Sequence, residues 1–294
     1  MQDWAIDKAP GGLILSETLQ QTYVLDLAPL FRLESLRQLH LKDLSAFDRE
    51  EGRGVAALRR VIPQRCNNIE ELHLKHSLLH MEILGILVAS PRSLKMLEYD
   101  VTLECIIQEL DAQLALGTTK LSRALHPQKA CLKSLYLSCD ARAEDETRGV
   151  INLHGVLQDF IALEYLSCPL TSVVDTRLGA SATFIDSLPP SLLTYKTVIR
   201  KYTKDQDCLA ALERVVASRQ THAHRLENIH IVIVSPAPWF TYNRVQLVES
   251  FSQTAINLVV EDEPDEDEYS DIWGMESTNS SRPSDEIDLY SDAD

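Results

Sequence analysis

Seven side chains able to bind, charge or move a proton stand at one recurring place in this chain: His40, His73, Glu98, Tyr136, Ser167, Lys196 and His230. Each falls between the second and third apolar residues of a short pattern. In that pattern an apolar residue is followed three positions later by a second, and two later by a third. The copies are Leu36/Leu39/Leu41, Ile69/Leu72/Leu74, Leu94/Leu97/Tyr99, Leu132/Leu135/Leu137, Leu163/Leu166/Cys168, Leu192/Tyr195/Thr197 and Leu226/Ile229/Ile231. On one side of the seven lie Gln38, Glu71, Met96, Ser134, Tyr165, Thr194 and Asn228; on the other lie Lys42, Lys75, Asp100, Ser138, Pro169, Val198 and Val232. The chemistry such a set offers is recognition, through ion pairs, hydrogen bonds and aromatic contacts.

The candidate partner-binding residues are His40, Lys42, Glu71, His73, Lys75, Glu98, Asp100, Tyr136, Tyr165, Lys196 and His230. Tyr136 and Tyr165 are the best anchors, because exposed tyrosines are typical interface hot spots. His40 and His73 come out as neighbours with Lys42 and Lys75 beside them, and nearby cations disfavour a protonated imidazole. Binding at that end is expected to depend on pH only where a partner carboxylate docks.

Nothing points to catalysis, a cofactor or a metal. There is no G-x-G-x-x-G, P-loop, G-x-S-x-G or H-E-x-x-H, and Gly179-Ala180-Ser181-Ala182 lacks the second glycine of a nucleophile elbow. His222 and His224, beside Arg225, read as a polar turn rather than as metal ligands. The chain is not expected to be an enzyme.

The elements that must position these residues follow from the pattern. Side chains alternate across a strand, so the second and third apolar residues point to one side and the candidate residues to the other. Successive copies begin 33, 25, 38, 31, 29 and 34 residues apart, and a period near thirty marks a solenoid. Helical spacing appears between copies, over Val55–Gln64, Met81–Ala89, Leu103–Leu116 and Cys208–Ala217, with another helix at Arg244–Ser252. Pro63, Pro91, Pro127, Pro189 and Pro190 close such segments. The expected fold is α/β: a curved parallel sheet with helices on its convex side and the candidate rows on its concave face. Helix-only solenoids share the period, but their units lack a short β core. Thr22–Leu27 reads as an extra N-terminal strand and Ile256–Val260 as a closing one. Trp239, Phe240 and Tyr242 fall in a loop over residues 235–242, where they cap the open end of the core or form an aromatic docking patch.

The Leu-x-x-Leu-x-Leu core resembles leucine-rich repeats of the longer, irregular class. Leu33-Glu34-Ser35-Leu36-Arg37-Gln38-Leu39-His40-Leu41, Asn68-Ile69-Glu70-Glu71-Leu72-His73-Leu74 and Leu188-Pro189-Pro190-Ser191-Leu192 resemble the repeat domains of fungal F-box proteins. The likeness covers about 30–260. It implies a leucine-rich-repeat solenoid that recognises a protein on its concave face, as substrate receptor of an SCF-type ubiquitin ligase. Two departures accompany it. The asparagine usual three residues past the third apolar position is replaced by Leu44, Ser77, Thr102, Asp140, Thr171, Arg200 and Val234. No F-box is found in residues 1–32, so a Skp-type adaptor and cullin would join only through an F-box supplied elsewhere. The alternative is a stand-alone scaffold with the acidic tail as a second contact.

Charge separates body from tail. The chain has 44 acidic and 28 basic residues, net −16. Residues 261–294 hold 14 acids and only Arg282 as a base, which leaves 30 acids and 27 bases before them. The solenoid is therefore assigned to 1–260, with capping segments at both ends, and 261–294 to a disordered acidic tail. The nearly neutral body has no basic excess for nucleic acid. Ile256–Glu263 also resembles a SUMO-interacting motif, and Ser284 and Ser291 precede acids as an acidophilic kinase requires. The six cysteines form no C-x-x-C pair and read as small buried thiols. Neither a signal peptide nor a membrane span is expected, so the cytoplasm, the nucleus or both are the expected location.

Overall fold

Burial alternates along the first copies. Leu39 and Leu41, Leu72 and Leu74, and Leu97 and Tyr99 are all at most 2% exposed, while the residues between them are not buried. That period of two makes them strands. In the computed structural model the described residues are 5–9, 12–16, 27–42, 44–46, 53–101, 118–139, 153, 156–173, 188–200, 210, 212–213, 215, 224–234 and 238–263.

They contain a ten-stranded sheet. A hairpin of β1 (Ala5–Ala9) and β2 (Gly12–Ser16) begins it. Then come β3 (Gln38–Lys42), β5 (Glu71–Lys75), β7 (Met96–Val101), β8 (Ser134–Cys139), β9 (Tyr165–Ser167), β10 (Thr194–Arg200), β11 (Asn228–Val234) and β12 (Asn257–Glu263). The order in space is the order in sequence. Every pair is parallel except β1 with β2. Short β4 (Ser45–Ala46) and β6 (Leu78–Leu79) pair in parallel beside it.

The first apolar residue of each copy also turns inward: Leu36, Ile69, Leu94, Leu132, Leu163, Leu192 and Leu226 are all buried. Just before each strand, one carbonyl accepts two N–H groups from the coil that follows. Arg37 O takes Glu70 and Glu71; Glu70 O takes Lys95 and Met96; Lys95 O takes Lys133 and Ser134; and so on to Leu193 O, all at 2.7–3.1 Å.

The helices cover the buried side of the sheet. Helix α1 (Arg53–Val61) buries Val55 and Leu58. Helix α2 (Met81–Ala89) lies between α1 and α3 and is buried on nearly every face. Helix α3 (Thr118–Leu125) buries Leu121, Ala124 and Leu125. A β-carbon on Gly85 would sit 3.4 Å from Ala124 Cα, so α2 and α3 approach closely there. These side chains and the inward strand residues make one continuous core. The outward strand face carries no helix among the described residues.

Several expectations need correction. The strand beside β3 is Gly12–Ser16, while Leu27 lies in a helical turn and residues 22–26 are outside the described set. Pro10-Gly11 between two short runs is the turn signal that places the hairpin. The stretch 238–242 is helix, not loop: α4 spans Pro238–Ser252, with proline at the first helical position, where its missing N–H costs nothing. Strand β12 continues to Glu263, three residues past the expected boundary. The helix expected at 103–116 lies outside the described residues. Of 208–217, Ala210, Leu212, Glu213 and Val215 are helical. Residues 264–294, with Ser284 and Ser291, are also outside the described set.

The asparagine position is filled differently. Ser77 is fully buried, accepts the Leu44 N–H at 3.4 Å and donates its hydroxyl to Lys75 O at 2.8 Å. At the other end of the strands, buried Gln128 donates to Val88 O and Pro91 O and accepts from Leu94 N–H, at 2.8–3.1 Å. Asn67 likewise donates to Ser90 Oγ and accepts from Ile69 N–H.

Candidate functional site

The strand register brings the candidate residues into rows. His40 pairs with His73, His73 with Glu98, and Glu98 with Tyr136. Tyr136 pairs with Ser167, Ser167 with Lys196, and Lys196 with His230. Lys42 lies beside Lys75, Asp100 beside Ser138, and Glu71 between Gln38 and Met96. Strands about 4.8 Å apart put each side chain against the next along a row. That is why most of them are half-buried rather than fully exposed.

The first half of the face is a charge network. The rings of His40 and His73 stack, with centroids 3.9 Å apart and planes 5° from parallel. His73 Nδ1 lies 2.5 Å from Glu98 Oε2. Beside an ionised carboxylate, that nitrogen carries the proton and donates. Its other nitrogen is buried without a hydrogen bond, 3.8 Å from Glu71 Oε2. Lys75 Nζ reaches Glu98 Oε1 at 3.5 Å. The Glu98 carboxyl is held below its usual range, first by the hydrogen bond from His73 and then by the Lys75 charge, against some burial. His40 is pushed below the usual imidazole value, mainly by burial and next by positive charge at His73 and Lys75. A carboxylate of the chain itself, Glu98, already stands against the histidines at this end.

Asp100 is also engaged. It accepts from the Ser138 hydroxyl at 2.7 Å and the His76 N–H at 3.3 Å, and lies 3.1 Å from His76 Nδ1. His76 has φ 47°, a left-handed turn at the end of β5 that the Asp100 carboxylate holds in place. Sequence reasoning missed His76 because it lies one residue beyond the strand.

The centre of the face is aromatic. Tyr136 and Tyr165 lie diagonally on adjacent strands with ring centroids 4.8 Å apart, tilted 31°. Both hydroxyls are shifted up, chiefly by burial; Glu98 adds to the shift at Tyr136, and Tyr136 to that at Tyr165. Both stay neutral donors at physiological pH. Farther along, His230 Nε2 is 2.9 Å from Glu261 Oε2. That nitrogen is buried and makes no hydrogen bond, so the contact is one of proximity only. Glu261 was missed because its acidic neighbours assigned it to the tail; the β12 register puts it in the sheet, beside Val232.

Among the described residues no group of three or more His, Cys, Asp or Glu side chains could hold a metal. His222 lies outside them. Cys66 and Cys131 are half-buried free thiols. Cys168 is fully buried and its thiol is pushed up to about 12, by desolvation against a hydrogen bond with Tyr195; it is inert core. No described helix is long and apolar enough to cross a membrane. Compared with family models, curated proteins and solved structures, the chain finds no match in any of the three.

Proposed function

We propose that the chain is a leucine-rich-repeat solenoid that recognises a protein partner on the open face of its sheet and does no catalysis. The observation that carries this reading is the Tyr136–Tyr165 pair. Two large side chains are held ring against ring on a face that carries no helix among the described residues, and the Glu98 carboxylate beside Tyr136 is already met by His73 and Lys75. A preorganised aromatic patch loses little side-chain freedom on docking, which favours binding. The likeness to fungal F-box repeat domains extends the proposal to the receptor of an SCF-type ubiquitin ligase. The runner-up is a scaffold with no ligase link, for which the acid-rich sequence after residue 263 supplies a second contact.

The test is affinity purification of the intact chain from its native cells, beside the Tyr136→Ala/Tyr165→Ala variant. Cullin and its adaptor in the eluate, with further proteins lost in the variant, support a substrate receptor. A reproducible partner lost in the variant without cullin supports the scaffold. Partners unchanged by the double substitution overturn recognition through this face.

A further inference from the structure

Beside the tyrosine pair the face dips at Ser167. Tyr136 on β8 and Lys196 on β10 both stand opposite Ser167 on β9, and Tyr165 lies two residues before that serine on the same strand. A short side chain among long ones leaves a recess. Serine is its floor; two phenol rings and an ammonium are its walls. Strands about 4.8 Å apart keep these walls within reach of one small group.

The polar groups around the recess are donors without partners. The side chains of Tyr136, Tyr165, Ser167 and Lys196 make no hydrogen bond or ion pair among the described residues. Burial keeps both tyrosine hydroxyls protonated, so they donate. Lys196 has no acid beside it in the register: its row neighbours are Ser167 and His230, and Thr194 and Val198 flank it on its own strand. The acid nearest along that row, Glu98, is engaged by His73 and Lys75. The unmet charge beside the tyrosines is therefore positive.

A carboxylate answers such a recess. It accepts several hydrogen bonds and carries the single charge that one ammonium balances. A phosphate brings about −1.5 to −2 charges at neutral pH, more than Lys196 alone can meet. The rings add an apolar contact beside the recess, which Met96 extends from its place opposite Ser134, diagonal to Tyr136.

Given recognition through the open face, on which this rests, we propose that the Ser167 recess takes an aspartate or glutamate side chain from an extended segment of the partner protein. Lys196 and the two tyrosine hydroxyls hold the carboxylate, and an apolar residue of the same segment lies on the rings of Tyr136 and Tyr165.

The probe is a phage-displayed library of short random peptides, selected against the full chain. The expected peptides share an aspartate or glutamate close to an apolar residue. One of them is synthesised and titrated by calorimetry. Replacing its acid by the amide, or Lys196→Met in the chain, weakens binding about tenfold. Tyr136→Phe, which keeps the ring and removes a donor, weakens it about threefold. Lys196→Glu turns the selection toward lysine and arginine, a gain that a misfolded variant does not give. Phosphoserine in place of the acid binds no tighter.

Peptides with no acidic position, binding indifferent to Lys196→Met, or tighter binding of the phosphoserine form overturns the proposal. Self-association abolished by Lys196→Glu puts a second copy in the recess and overturns it too. Peptides that lack the acid but are lost in Tyr136→Ala/Tyr165→Ala leave recognition through the face standing; peptides unaffected by either change remove both.

Discussion

His40 and His73 lie face to face with ring centroids 3.9 Å apart, on adjacent strands of the open face. Two imidazoles in that contact do not both hold a proton cheaply, and the pair is asymmetric. His73 leans on Glu98, while His40 is desolvated beside the positive charges of His73 and Lys75.

A pH dependence of stability follows. His40 is lowered from its ordinary 6.5, so below that pH the unfolded chain takes up its proton first. The stability gained from a neutral His40 is complete above 6.5 and declines as pH falls through the lower, folded value. Glu98 is lowered from 4.5, so its share persists to that pH and is lost below it. Urea unfolding from pH 7.5 downward should show a decline starting near 6.5. His40→Phe, which keeps a stacked ring without the proton, should remove the portion above 4.5. An unchanged profile in that variant would assign the slope to other groups.

The tyrosines should matter for binding as well as for folding. Each is half-buried and packs on the other, so Tyr136→Ala or Tyr165→Ala should cost about 1–2 kcal/mol of stability. If the pair is the anchor, each should weaken a partner recovered on this face by about 2 kcal/mol, some thirtyfold in Kd. Calorimetric titration beside thermal melts separates the two effects.

The close approach of α2 and α3 gives opposite signs for two substitutions at one position. Gly85→Ala brings a methyl to ordinary contact with Ala124, 3.4 Å from its Cα and 3.6 Å from its Cβ. It also removes a mid-helix glycine, so stability should rise by up to about 1 kcal/mol. Gly85→Leu cannot fit the same gap and should cost about 1–3 kcal/mol. Denaturant midpoints of the two variants decide it.

Gln128 should be among the most sensitive polar positions. It is 2% exposed and its side chain satisfies two carbonyls and one N–H. Gln128→Ala strands those groups in the core, at about 1–3 kcal/mol for each one left unmet. A loss below about 1 kcal/mol by urea titration would mean that water replaces the amide.

Sheet register was legible in the sequence because a period of two with leucines at fixed spacing leaves no freedom: a slip of one residue would send every leucine to the wrong face. His40 beside His73 and Tyr136 beside Ser167 follow from counting. The links between strands were less legible. Between β8 and β9, Val156, Leu157 and Phe160 are buried in turns rather than a helix, and nothing periodic announces turns. The aromatic start of α4 read as loop because Pro236 and Pro238 dominate the local signal. The polar core was illegible for another reason. Gln128 reaches Val88, 40 residues away, and such a partnership exists only once the coils have stacked.

The seam of paired N–H groups on one carbonyl per coil is built from backbone alone, so it reads no side chain and no repeat length. A unit of 25 residues closes on its neighbour as one of 38 does. Whole units can be lost, gained or resized without the next one losing its place. Such a chain can diverge until its kinship fades from its residues while its architecture persists.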